Sequence, residues 1–375
     1  MKETTLSPLI SKEQLEGARR ILYMTHLAIG DFVYQRAFLH ALKQSYPTLQ
    51  LDIWIDDCRK RKKSWHAGRN QTLIQWLESE DYIENIYPIA SSQQDRESII
   101  STANAKGYDL IVFNATQRAE QYAKYARKIG PKAFIVGTRS QSNSILDWWH
   151  FRHIDRIYRL SSQIASLHIS QQYQQRFFAL LGIYVPESAR LYPIAVPNEF
   201  RDKINRELIG TPVESEQIIF INHLSTTEKR NYPWPKLKAL LIALHQARPD
   251  RRFIINTPPA HYTEICHQLE TEIPIKNLRA RPFTASDFFE LPAMMEACDL
   301  VISVETAVMH IASALNKPQV VLMRDSAKAW VPTGVAEILF GKGRVDNIPV
   351  EQVMTAVAKM TAPVMPGLKP NRPLR

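Results

Sequence analysis

The sequence is poor in cysteine and glycine, and both shortages exclude classes of protein. Its three cysteines, Cys58, Cys266 and Cys298, are spaced neither as a zinc motif nor as a disulfide framework, and one would be left over from any pair. We therefore expect free, buried thiols in a reducing compartment. Glycine occurs 12 times and proline 23 times, with the prolines collected between periodic segments, so the sequence is that of a folded globular chain.

Long apolar runs are also absent. No run approaches the roughly 18 residues of a membrane-spanning helix. Charged residues interrupt residues 1–30, where a signal peptide would need an apolar core. The sequence predicts a cytoplasmic protein, and peripheral contact with the cytoplasmic face of the inner membrane stays open.

Positive charge, by contrast, is in excess. Lysine and arginine total 47 against 37 aspartate and glutamate residues, which gives a formal charge of +10. An excess of this size suggests an anionic partner such as nucleic acid, phospholipid, phosphorylated glycolipid or nucleotide. The charge alone does not choose among these partners.

The 375 residues are more than a single domain usually contains, so two domains are expected. Short apolar strands alternate with helical segments in both halves, a pattern typical of α/β domains with parallel sheets. We predict a first domain over residues 1–190, a proline-bearing linker over 191–212, a second domain over 213–350 and a tail over 351–375. Ligands bind at the carboxyl ends of strands in such sheets, so two facing sheets would form a cleft.

Three loops that follow predicted strands carry chemistry. In "MTHLAIGDFV", Asp31 is either a first-turn helix residue or a carboxylate that removes a proton from a substrate hydroxyl. In "FINHLSTTEKRNYPWPKL", the hydroxyl-rich stretch with Thr226, Lys229 and Arg230 suits a phosphate, or is a solvated loop with capping hydroxyls. The spacing does not choose in either loop.

The third loop, "SVETAVMH", turns from a strand into a helix. Thr306 is the expected N-cap, which leaves backbone N–H groups available to an anion. Glu305 beside it suits sugar hydroxyls, so a nucleotide sugar fits this corner. His310, one turn into the helix, either faces the same site or is a structural histidine.

Four segments together resemble the ADP-heptose:lipopolysaccharide heptosyltransferases of glycosyltransferase family 9. They are "ILYMTHLAIGDFVYQRAFLHALKQSYP", "HLSTTEKRNYPWPKL", "VISVETAVMHIASALNKPQVVLM" and "AWVP". They occur in the family's order over residues 20 to 333, and the third is the most specific. The resemblance implies a GT-B fold, an α/β architecture of two Rossmann-like domains facing a central cleft, with the donor on the second domain and the acceptor on the first.

The resemblance also implies roles for individual residues. Asp31 would be the catalytic base. Arg230, with Lys229 as the alternative and Thr226 nearby, would bind the donor diphosphate.

The third segment carries further implied donor contacts. Glu305 would contact the donor sugar or ribose, Thr306 and the Ala307 amide would lie near the phosphates, and His310 is included in the donor site. The family has Asp where this chain has Glu305, and Gly where it has Ala307. Both departures bear on which donor is bound.

A basic run follows the second strand of the predicted acceptor domain. Such runs are usually solvated surface. In the implied fold, this run lies where an acidic acceptor would dock. Its members are Arg59, Lys60, Arg61, Lys62 and Lys63.

The resemblance implies an inverting transfer of heptose from ADP-heptose to the Kdo- and heptose-containing inner core of lipopolysaccharide or lipooligosaccharide. Asp56 and Asp57 are adjacent and lack the spacer of a DxD motif, so we expect neither a metal nor a cofactor. Three alternatives stay open: a transferase for another nucleotide sugar or acceptor, a catalytically silent binding relative, and a basic nucleic-acid-binding protein. The sequence contains no helix-turn-helix, zinc-finger or aromatic-basic signature, which argues against the nucleic-acid-binding alternative.

Overall fold

Within residues 7–59, 66–140, 146–206 and 216–362, the part of the chain that this computed structural model describes, the strands form two parallel sheets of six strands each. The chain divides into two units, Met1–Tyr192 and Pro193–Arg375, with one sheet in each. This is the α/β architecture of two Rossmann-like domains that the sequence predicts.

The first unit has the strand order β3-β2-β1-β4-β5-β6. Its strands are β1 (Arg20–Thr25), β2 (Gln50–Trp54), β3 (Asn85–Tyr87), β4 (Leu110–Asn114), β5 (Phe134–Ser140) and β6 (Arg156–Leu160). Its helices are α1 (Lys12–Gly17), α2 (Ile29–Ser45), α3 (His66–Glu78), α4 (Gln93–Asn104), α5 (Ala119–Ile129), α6 (Leu146–Phe151), α7 (Ser162–Ser166) and α8 (Ile169–Leu181).

Strand β1 lies at the centre of the first sheet. All of its residues after Arg20 are buried, because helices cover both faces of a parallel sheet. Thr25 at its carboxyl end pairs in register with Asn114 at the end of β4. The loops that leave these two strands therefore begin side by side.

The second unit has the order β12-β11-β10-β7-β8-β9. Its strands are β7 (Gln217–Asn222), β8 (Arg251–Asn256), β9 (Arg279–Phe283), β10 (Leu300–Val304), β11 (Gln319–Arg324) and β12 (Ala336–Gly341). Its helices are α9 (Asn198–Ile204), α10 (Trp234–Ala247), α11 (Tyr262–Glu272), α12 (Glu290–Ala297), α13 (Ala307–Ala314) and α14 (Val350–Thr361).

Strand β10 pairs with β7 on one side and with β11 on the other. Ser303 is in register with Asn222, the last residue of β7. The strand order reverses between β10 and β7. From β7 the chain continues to β8 on one side of the sheet, and from β10 it continues to β11 on the other. Such a switch point is where ligands bind in doubly wound sheets.

Two segments outside the predicted domain cores are helical. Helix α9 lies in the predicted linker, and its Arg201 pairs with Glu296 of α12 at 2.7 Å. Helix α14 occupies the start of the predicted tail, and its apolar residues Val353 and Val357 lie in the core of the second unit because they share one helical face. Residues 363–375 lie outside the described part of the chain.

The three cysteines are free, as predicted. Cys58 and Cys298 are buried and Cys266 is partly buried. Burial raises the pKa of the Cys298 thiol to about 12, so this thiol stays protonated at neutral pH. Among the described helices, none combines the length and the apolar character that crossing a bilayer requires.

Candidate active site

The corner between β10 and α13 is held by a side-chain cap. Thr306 is the N-cap of α13, as the sequence predicts, and its Oγ1 accepts a hydrogen bond from the backbone N–H of Val308 at 3.3 Å. The first backbone N–H groups of a helix have no partner within the helix, and the helix dipole places positive potential there. Ala307 is the first helical residue and does not have the left-handed backbone that would resist a Cβ.

Asparagines at two strand ends fix the position of this cap. The Nδ2 of Asn222 donates to Thr306 Oγ1 at 3.0 Å, and the Nδ2 of Asn256 donates to Asn222 Oδ1 at 2.8 Å. A polar chain thus joins the carboxyl ends of β8 and β7 to the start of α13. Sequence reasoning missed both asparagines, although β7 and β8 each end in "IN".

Glu305 forms an ion pair that the sequence does not indicate. Arg324 at the end of β11 donates to it from the backbone N–H at 3.2 Å, from Nε at 3.1 Å and from Nη2 at 2.7 Å. A carboxylate offers about four acceptor positions, so most of them are used. Arg324 is therefore the main partner of Glu305 in this structure, and the contact of Glu305 with donor hydroxyls stays a prediction.

Arg230 brings a second guanidinium to this corner. It closes the short 3₁₀ turn Glu228–Arg230 and donates from Nε to Thr227 Oγ1 at 2.7 Å and from Nη2 to Thr226 Oγ1 at 3.2 Å. Burial lowers the pKa of Arg230, Glu305 raises it and Arg324 lowers it further. Those couplings place its charge within electrostatic range of the Glu305–Arg324 pair.

Lys229, the alternative to Arg230, has an exposed side chain. Two guanidiniums, one carboxylate and the α13 N-terminus leave a net positive corner suited to a phosphate group. The structure therefore favours Arg230 over Lys229 for this site.

In the first unit, Asp31 lies in the first turn of α2 and is half-buried. The hydroxyl of Tyr173 on α8 donates to Asp31 Oδ1 at 2.7 Å. Burial, and then the Asp31 charge, raise the pKa of Tyr173 well above its ordinary value, so the phenol remains the donor. The N-cap of α2 is Ala28, so Asp31 occupies the first turn of the helix, one of the two positions that the sequence allows.

Comparison with protein families decides the classification. The model of glycosyltransferase family 9 (heptosyltransferase) matches residues 140–341, which is more than half of the chain. The chain belongs to glycosyltransferase family 9. The matched region runs from the last residue of β5 to the end of β12 and includes Thr226, Arg230, Glu305 and Thr306, but not Asp31.

Solved structures show the same fold over nearly the whole transferase. A glycosyl transferase of family 9 from Veillonella parvula matches with a TM-score of 0.70 at 18% identity, covering 91% of this chain and 97% of that one. The ADP-heptose LPS heptosyltransferase II of Escherichia coli matches with a TM-score of 0.67 at 14% identity, covering 91% and 98%.

A third solved structure, E. coli heptosyltransferase WaaC with ADP, has a TM-score of 0.64 and 15% identity, and the match covers 91% of this chain and all of that one. No curated protein sequence matches the chain significantly. These likenesses establish the GT-B fold of the transferase.

His310 of the transferase is buried, with its ring 5.9 Å from that of Trp330 in the "AWVP" segment. This packing favours its interpretation as a structural histidine. Trp330 lies in the 3₁₀ segment that follows β11, so the ring pair ties that segment to α13.

Of the basic run in the first unit, only Arg59 lies within the described residues. Its Nε is 2.7 Å from Asp57 Oδ2, so a neighbouring carboxylate balances its charge. Asp56 is buried and pairs with Arg96. Lys60, Arg61, Lys62 and Lys63 lie outside the described residues. Within the part of the chain that the structure describes, no group of three or more His, Cys, Asp or Glu side chains could hold a metal ion.

His223 closes the loop that carries Arg230. Its Nδ1 donates to the Tyr232 carbonyl at 3.0 Å, and the Tyr232 N–H donates to the His223 carbonyl at 2.8 Å. His223 also helps to line a cavity of about 260 Å³, together with Glu228 and Asn231 of the same loop. Its Nε2 is buried without a hydrogen-bond partner among the described residues, and burial lowers the pKa of His223 to about 4.

The lowered pKa of His223 predicts a loss of stability in acid. The ordinary histidine value is 6.5 and the folded value is about 4, so between these values the unfolded chain binds a proton that the folded chain excludes. The free energy of unfolding should therefore fall as pH falls from about 6.5 to 4, by up to about 3 kcal/mol. In His223→Asn the side-chain amide can still donate to Tyr232 but does not titrate, so urea unfolding across this range should show a shallower pH slope.

His267→Asn is the matched control, because it removes an exposed histidine from α11. Its pH slope should remain that of the unmodified chain. A slope in His223→Asn equal to that of the unmodified chain would show that His223 is not excluded from protonation.

Proposed function

We propose that the chain is an inverting heptosyltransferase that moves a heptose from ADP-heptose to the inner core of lipopolysaccharide or lipooligosaccharide, in the Kdo and heptose region. The observation that carries the proposal is the Arg324–Glu305 ion pair beside the α13 N-terminus, with Arg230 on the loop after β7 within electrostatic range of it, in a member of a heptosyltransferase family. The related WaaC structure contains ADP. A nucleoside diphosphate sugar is therefore the donor class that the corner fits best.

The corner would stabilise the leaving diphosphate. As the bond between the anomeric carbon and the diphosphate breaks, negative charge collects on the phosphate oxygens, and preorganised cations lower the energy of that charge. The Thr226 and Thr227 hydroxyls already hold the Arg230 guanidinium, so little side-chain freedom is lost when an anion binds. Glu305 would act by holding Arg324.

Asp31 would act as the general base. It would take the proton from the acceptor hydroxyl, whose oxygen attacks the anomeric carbon from the face opposite the diphosphate. The hydrogen bond from Tyr173 orients the Asp31 carboxylate. Neither a metal nor a cofactor has a role in this scheme.

The acceptor would be an anionic glycolipid. The chain's formal charge of +10 supports an acidic partner. Because the acceptor would be linked to a lipid, the transfer reaction would take place at the cytoplasmic face of the inner membrane. The basic run from Arg59 to Lys63 is the proposed acceptor contact. Nucleic acid is not proposed as a partner.

One observation favours a second candidate, a transferase of the same fold that uses another nucleotide sugar or acceptor. Glu305 and Ala307 stand where the family pattern has Asp and Gly, and Glu305 is committed to Arg324. An aspartate at this position would be one methylene shorter and would not reach Arg324 in the same way. The set of groups presented to the donor sugar thus differs from the family pattern.

A transfer assay tests the two candidates together. The purified chain is incubated with ADP-heptose and with lipopolysaccharide acceptors truncated in the inner core, and products are read by mass. We expect a gain of one heptose on one acceptor and none with UDP- or GDP-sugars. A gain only with a UDP- or GDP-sugar would support the second candidate. No gain with any donor would contradict the first candidate and would leave only a transferase for another acceptor.

Replacing Asp31 by Asn should remove the base while keeping a similar shape. We expect kcat to fall by roughly 10²- to 10⁴-fold, with little change in KM for the donor. Asp81→Asn, an exposed aspartate of the same unit, is the matched control and should leave kcat unchanged. Near-normal turnover in Asp31→Asn would remove Asp31 from the role of base.

Replacing Arg230 by Ala should reduce kcat/KM by roughly 10²-fold, because a half-buried charged donor to the diphosphate is lost. Lys229→Ala should change kcat/KM by less than about threefold, because exposed charges are screened by solvent. Thermal unfolding of both variants verifies the fold, and Arg230→Lys tests whether charge alone suffices. A larger effect at Lys229 would reverse the assignment.

A further inference from the structure

Helix α6 of the first unit presents two adjacent tryptophans to solvent. The side chains of Trp148 and Trp149 are 75% and 55% exposed, and their ring centroids lie 6.5 Å apart. Phe151 of the same helix points the other way: it packs against the core cluster of the first unit, beneath the guanidinium of Arg139 at 5.4 Å. The helix is thus anchored by one aromatic residue and displays two others.

This exposure is unusual for tryptophan. Its ring is among the largest apolar surfaces that a side chain carries, and it is usually well buried. Water is therefore a poor environment for the pair. The indole has an apolar body and one N–H donor, which suits the boundary between lipid headgroups and acyl chains.

Positive charge accompanies the two rings. The guanidinium of Arg152 lies 3.4 Å from the centroid of the Trp149 ring, a cation–π contact. Arg156 and Arg159 follow on the edge strand β6, where both are exposed, and Asp155 is the one acidic residue between Trp148 and Leu160. Asp155 is itself paired with Arg127 of α5 at 3.1 Å.

We propose that the aromatic-basic patch, formed by Trp148, Trp149 and Arg152, docks the first unit onto the surface of an anionic phospholipid bilayer. The indoles enter the headgroup region and the arginine pairs with lipid phosphate. The occupant is a bilayer, because the patch combines exposed indoles with a positive charge stacked on one of them in a chain of net charge +10. The inference rests on the membrane location in the proposed function and deepens it by naming the surface that docks, but it does not depend on which sugar is moved.

Vesicle binding tests the proposal directly. The full chain is mixed with vesicles of phosphatidylglycerol and phosphatidylcholine, or of phosphatidylcholine alone, and the bound fraction is measured by sedimentation. We expect binding to the anionic vesicles that weakens with salt, and a loss of roughly tenfold or more in Trp148→Ala/Trp149→Ala. Tyr184→Ala, which removes a 65% exposed aromatic side chain from the same unit, is the matched control and should bind normally.

Two further measurements separate the outcomes. Arg152→Gln should weaken binding to anionic vesicles without affecting the residual binding to neutral ones. In the double tryptophan variant, turnover with a delipidated, water-soluble acceptor should be unchanged, so failure of docking is distinguishable from failure of the transfer reaction.

Equal vesicle binding by the double tryptophan variant and the unmodified chain would overturn the proposal. So would a change in oligomeric state of that variant, seen by light scattering, with vesicle binding unaltered. That second result would assign the patch to contacts between copies of the chain.

Discussion

Strand β10 lies between β7 and β11, and the candidate donor site depends on that arrangement. Asn222, Thr306 and Arg324 are far apart in sequence, and each lies where one of these strands ends or where the next helix begins. Parallel pairing brings these strand ends to one edge of the sheet. Once they meet there, the amide of Asn222 can hold the cap and Arg324 can reach Glu305.

The ion pair between Glu305 and Arg324 then determines what the corner presents. A buried carboxylate without a partner would repel the diphosphate of a donor. Pairing of Glu305 with the Arg324 guanidinium leaves the nearby charge of Arg230 to act on an anion. Glu has one methylene more than the Asp of the family pattern. The added length is used here to reach both the side chain and the backbone N–H of Arg324.

Polar groups in both units are positioned by partners on other elements. Tyr173 on α8 orients Asp31 on α2, and His223 closes the loop that carries Arg230 through its bond to Tyr232. Both supporting groups are buried, where a hydrogen bond is stronger and a missing one is more costly than in water. A functional site requires rigid support of this kind, because its charged groups must be held in position before a ligand binds.

Much of the fold was predictable from the sequence because its signals are local. Apolar strands such as Leu110–Asn114, the Thr306 cap and the alternation of strands with helices arise from neighbouring residues. The sequence alone also indicated the family, since four segments in one order are specific.

By contrast, the contacts of Arg324 with Glu305 and of Tyr173 with Asp31 were decided by tertiary structure. Each pair joins residues separated by 19 or 142 positions, and no local pattern encodes such contacts. The sequence determines which residues carry charge. Only the packing of the tertiary structure decided which of those charges are paired and which remain available to a ligand.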